Sequence, residues 1–187
     1  MAISKLRATS LDFGTMEHLS STTVANSAQF VVFDNLSTDY DTFQFQFDLH
    51  PVSDNATFSC QFLDSSGTAI NASSAYGCYA DFDGTAVTSD GTTAITLSSS
   101  AIGAASHEGI RGWFNLLGRN FAVATDRLAP QISGFVYGQY NTGVYSGGQV
   151  LGALNNANVQ AIRGLRFVVD SGNIEAGRVD LFGIRST

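Results

Sequence analysis

Apolar and polar residues alternate in short runs along most of the chain. The clearest run, YDTFQFQFDLH, puts Phe43, Phe45, Phe47 and Leu49 on one face and Gln44, Gln46 and Asp48 on the other, and stops at Pro51. Period two with polar residues opposite apolar ones marks a strand with one buried face. QFVVF precedes this run, and ATFSCQFL and YGCYADF follow it, split by DSSGTAINASSA. TTAITLS, IRGWFNLLG and QISGFVYGQY read as further strands. In the closing segment Leu165, Phe167 and Val169 oppose Arg166, Val168 and Asp170, and Val179 and Leu181 resume the pattern beyond Ser171-Gly172-Asn173 and Ala176-Gly177. That spacing reads as a hairpin whose loop is too long for a two-residue turn. Residues 141–160, rich in Gly, Asn and small residues, are either a long loop or a strand flanked by loops, and long loops are where binding concentrates in a compact β domain. About eight or nine strands with short polar connections and no convincing helical period predict an all-β chain, an antiparallel β-sandwich of jelly-roll-like form.

The length of 187 residues suits one domain with a real core. It is expected over 28–187. Residues 1–27 are polar and Ser/Thr-rich without sustained periodicity, and read as a docking arm that orders against its own domain or a neighbouring subunit. Its candidate contacts are Leu6, Leu11, Phe13, Met16 and Leu19. Charged residues make up only 13% of the chain, beside 19 Gly and 14 Phe, which argues against disorder.

The net charge of −7 leaves nucleic acid without the clustered Lys and Arg that phosphate binding needs. The charge is uneven: residues 1–108 hold 12 acids against Lys5 and Arg7, and residues 109–187 hold 4 acids against 7 arginines, giving −10 and +3. Either strands of both halves interleave and cancel the difference, or complementary faces meet between neighbouring copies. No signal peptide, membrane span, tail or sorting signal is expected. Matches to the N-glycosylation pattern at Asn35, Asn55 and Asn71 have meaning only in a secretory pathway.

Candidate chemistry is sparse. His18, His50 and His107 lack metal-ligand spacing, Cys60 and Cys78 alternate with apolar neighbours and are expected as buried free thiols, and no nucleophile elbow or phosphate loop is present. Asp81, Asp83 and Asp90 in ADFDGTAVTSDG resemble a fragment of a calcium loop, but a plain acidic turn between strands accounts for them better. His107, Glu108 and Asp126 carry no spacing that requires a hydrolase. The expectation is a non-enzymatic chain with no catalytic residue, metal or cofactor.

Aromatic residues offer a different function. Trp113, Tyr137, Tyr140 and Tyr145 lie near Asn, Gln and Asp. They are either buried by the second sheet, or form a protein interface, or stack on sugar faces while amides bond the hydroxyls.

The closing segment, with Ser171-Gly172-Asn173-Ile174, Gly177 and Leu181-Phe182-Gly183-Ile184, resembles the C-terminal strand pair of small β-rich tailed-bacteriophage virion proteins. The Tyr40/Phe43 pair and Pro51 in the front half are similar to the same proteins' pattern of a turn, an alternating strand and a Pro-containing turn. Residues 85–160 carry no such match. The resemblance implies a virion structural component, tail fibre, baseplate or head decoration, and brings no catalytic positions. Together with the arm, it suggests a homo-oligomer, expected as a trimer, that joins other virion proteins on the tail or head surface. The favoured form is a tail fibre or adhesin touching a host-surface glycan through the Tyr-rich 135–145 region. A capsid decoration protein and a stand-alone carbohydrate-binding module are the alternatives. No nucleic-acid partner and no membrane insertion are implied.

Overall fold

A computed structural model describes residues 15–25, 27–82, 85–98, 102–118, 129–139, 143, 145–155 and 158–185, the side chains of 80–90 excepted. Twelve strands are present among them: β1 (Met16–Val24), β2 (Phe30–Phe33), β3 (Thr42–Pro51), β4 (Phe58–Leu63), β5 (Tyr76–Phe82), β6 (Thr85–Thr92), β7 (Ile95–Thr96), β8 (Gly109–Leu117), β9 (Gln131–Gln139), β10 (Tyr145–Leu154), β11 (Gly164–Val169) and β12 (Ile174–Ile184). They form two antiparallel sheets, one of eight strands in the order β1-β12-β3-β8-β9-β10-β5-β6 and one of four in the order β2-β11-β4-β7. The chain is an all-β sandwich. Strands β2 to β7 and β11 follow the two-sheet order of a jelly roll, with the β8–β9–β10 meander in the place of a single strand and β12 and β1 added beyond β3.

The count exceeds the expected eight or nine because β1, β6 and β10 are rich in Ser, Thr, Gly and small residues, where alternation is faint. The closing segment also needs correction. β11 and β12 are both strands, but they do not pair: β11 lies between β2 and β4, whereas β12 lies between β1 and β3 in the other sheet. The turn at 170–173 therefore crosses from one sheet to the other. Period two reveals a strand and its buried face, not its neighbour, and both strands bury that face in the same core.

The core fills the space between the sheets. Phe45, Phe47 and Phe114 of the large sheet meet Phe167 of the small one, with ring centroids 5.3 to 6.2 Å apart. Cys60 and Cys78 are buried free thiols; burial, and secondarily Cys78, pushes the Cys60 thiol up.

Tyr40, Phe43, Gly177 and Gly183 meet at one edge of the large sheet. The Tyr40 ring lies against Gly183, where a Cβ would come within 2.4 Å of it, and stands 6.0 Å from the Phe43 ring. Tyr40 Oη donates to Glu17 Oε2 of β1 at 2.7 Å. Gly177 has φ of +137° and brings its Cα against Asp48 O, where a Cβ would sit at 2.2 Å. Both glycines are there for close approach, so these motifs describe how β3, β12 and β1 fit together.

The segment expected as an arm divides. Leu6, Leu11 and Phe13 lie outside the described residues. Met16 and Leu19 belong to β1, which pairs with β12; Met16 is exposed and Leu19 packs on the core. Asp180 of β12 anchors this edge, accepting from Arg178 Nη2 at 2.8 Å and from Ser21 Oγ, with His18 Nε2 at 3.4 Å. The Arg178 hydrogen bonds, then Ser21, Arg178's charge and His18, hold its carboxyl below the usual range. A depressed carboxylate adds stability that is full above the ordinary range and lost as pH falls through the folded-state value. Amide protection in β1 is thus expected to drop between about pH 5 and pH 3 while β8 stays protected. Hydrogen exchange checks this, with Asp180→Asn expected to show low β1 protection and little pH dependence.

Candidate functional site: an open sheet face and the groove at its end

Alternation along β8, β9 and β10 sends Ile110, Phe114, Leu116, Ile132, Val136 and Val150 into the core and leaves their neighbours on the outer face of the large sheet. Register then aligns Trp113 with Phe135 and Arg111 with Tyr137 across β8 and β9. Trp113, Phe135, Tyr137 and Tyr145 are 40%, 42%, 55% and 75% exposed. Burial by the second sheet is excluded for the three of these singled out in the sequence, because that sheet covers the opposite face. Tyr140 lies outside the described residues.

Beside the rings runs a row of amides. Gln46 Nε2 donates to Gln44 Oε1 at 2.9 Å, and Gln44 Nε2 donates to Asn115 Oδ1 at 3.1 Å. Arg111 pairs with Asp48 at 3.2 Å. Phe135 and Tyr137 stand 6.2 Å apart, and the Tyr137 ring lies over Gly147 of β10, within 2.3 Å of where a Cβ would be. A polar sheet face carrying several large exposed rings is a contact surface in the making, since isolated exposed apolar residues are common but contiguous ones are not.

At one end this face drops into a groove of about 410 Å³. Asp48, Arg111, Tyr137, Gln139 and Tyr145 line it, and His107 and Glu108 of the 104–108 turn form its near wall. That turn is tightly held: Ala104 N donates to Asp54 Oδ1 at 2.7 Å, Ala105 N to Glu108 Oε2 at 2.9 Å, Glu108 N to Ala105 O at 2.8 Å, and His50 Nε2 to Ala105 O at 2.7 Å. His50 Nδ1 lies 3.0 Å from Glu175. Glu108 and Gln139 are buried, and His107 is exposed on the rim. A second hollow toward Glu175 shares Asp48, His107, Glu108 and Arg111.

Other sequence candidates are not assembled into a centre. His18 meets Ser21 and Asp180 through the same ring nitrogen, Nε2, which is not the geometry of a base that takes a serine proton while an acid holds its other nitrogen. Asp126 and Asp83 lie outside the described residues, and the side chains of Asp81 and Asp90 are among those not described. No cluster of His, Cys, Asp or Glu arranged for a metal occurs among the described residues. Phe135 and Gln139 fall inside the 135–145 region expected as a contact but were not singled out, and the tethered 104–108 turn escaped the sequence reading; alternation from Tyr137 points to Phe135, and nothing local points to the turn.

The chain matches no model of a known protein family, and it matches no curated protein.

Proposed function

We propose that this chain is a non-enzymatic structural protein of a tailed-bacteriophage virion, of tail-fibre or adhesin type, which joins other virion proteins as a homotrimer and turns the outer face of its large sheet toward a partner. The observation that carries the contact role is the Trp113–Phe135–Tyr137 row, left open beside an amide ladder on an otherwise regular sandwich. Exposed aromatic rings give large, rigid, amphipathic area at low entropic cost. The virion assignment rests on the Tyr40, Gly177 and Gly183 motifs and their shared role at the β3–β12–β1 edge.

Immuno-electron microscopy tests it. Antibodies against the purified chain are expected to label the tails of the phage that encodes it, at a few copies per particle. Even labelling of the head would make it a decoration protein, and unlabelled particles would overturn the virion reading. Replacing Trp113, Phe135 and Tyr137 together with Ser is expected to remove the contact while preserving the fold, checked by thermal melting.

A further inference from the structure

We infer that the groove between Tyr137, Tyr145 and the 104–108 turn is a binding site for one neutral sugar ring of a glycan. The inference rests on the groove alone and stands apart from the virion reading. The volume, about 410 Å³, is that of a small-ligand site. Its walls combine two features that together select a sugar. The first is a pair of exposed tyrosines, suited to lie against the apolar C–H face of a pyranose. The second is a buried polar lining able to meet hydroxyls as both donor and acceptor: the Gln139 amide and the Glu108 carboxylate.

The charges decide against other ligands. Asp48 and Arg111 cancel as an ion pair, which leaves Glu108 within the groove and Glu175 at the adjoining hollow. An anionic sugar or a phosphate would face carboxylates, with the one lining guanidinium already paired and His107 exposed on the rim. The rigid 104–108 turn, tied to Asp54 and His50, means that the near wall is formed before any ligand arrives.

Saturation-transfer NMR on the full chain tests the inference, with glucose, galactose, mannose and N-acetylglucosamine as probes and glucuronate as the anionic control. At least one neutral sugar is expected to receive saturation on its ring protons, and glucuronate none. Tyr145→Ala, at an exposed position, is expected to weaken that binding about fivefold or more with an unchanged melt. Gln139→Leu, which removes the lining amide, is expected to weaken it as well. No signal from any neutral sugar overturns the proposal. So does a signal that survives both substitutions, or a glucuronate signal equal to the neutral ones.

Discussion

Phe167→Ala lowers the stability of this fold by about 3–5 kcal/mol, the cost of deleting a large ring from a close-packed interior. Phe167 is fully buried and is the small sheet's contribution to a cluster in which Phe45, Phe47 and Phe114 approach from two strands of the large one. Each of its three ring contacts spans the gap between sheets, so the cavity opens where the layers are held together. Neighbouring rings can tilt into the space only by leaving their own contacts. In urea the unfolding midpoint is expected to fall with the slope unchanged, since the same surface is exposed on unfolding. Trp113→Ala, on the open face, is the matched control and should change the midpoint little. A loss below about 1 kcal/mol for Phe167→Ala would mean that the core refills, and that the aromatic cluster is not what joins the sheets.

The sandwich was legible because its central strands obey a simple rule. Phe43, Phe45, Phe47 and Leu49 are buried and Gln44, Gln46 and Asp48 lie on the outer face, as alternation requires. β6 was harder, since TAVTSDGT carries few apolar residues and Asp83-Gly84 before it reads as an acidic loop fragment. Yet β5 and β6 pair Phe82 with Thr85, with two residues between them, and Asp-Gly between strands is also the signature of a two-residue hairpin. β10 is the strand that the reading of 141–160 left open beside a long loop, and for a related reason: its inward positions include Ser146, Gly148 and Gly152, which bury without looking apolar. Gly152 leaves room for Ile95 of the opposite sheet, a fact of packing that no local pattern contains.

The contact face and the groove divide in the same way. Trp113, Tyr137 and Tyr145 attract notice by residue type, and their outward direction follows once β8, β9 and β10 are placed. The groove needs separate pieces of chain, at 48, 107–111, 137–139 and 145–147, brought together by the pairing of β3 with β8, β8 with β9 and β9 with β10. Pairing between strands is a long-range property, so Gln139, Tyr145 and Glu108 share a site that sequence distance conceals. Tyr40, Gly177 and Gly183 lie at the other kind of position, where the two glycines permit contact inside the scaffold.

Tyr76→Phe is expected to cost about 2–4 kcal/mol, although it removes a single oxygen. Tyr76 is fully buried on β5. Its hydroxyl accepts from Phe62 N at 2.8 Å and donates to Ile70 O at 2.7 Å, while Ile70 N donates to Phe62 O at 2.9 Å. One hydroxyl thus ties the large sheet to β4 and to the segment after it. Phenylalanine fills nearly the same volume, so no cavity offsets or adds to the loss. What remains is a backbone donor and a backbone acceptor, both buried and without this partner. Burial also pushes the Tyr76 hydroxyl well above its ordinary range. A raised acid contributes stability that is full below its unfolded-state value and is lost as pH rises above it, here from about pH 10 upward. Urea titrations at neutral and alkaline pH check both consequences. Tyr76→Phe should have the lower midpoint near neutrality and a smaller further loss on the alkaline side, with Cys60 supplying part of the remaining loss because its thiol is raised by the same burial. A variant as stable as the parent at neutral pH would show that water or a local shift meets both backbone groups, and that the sheets are joined at this end by packing alone.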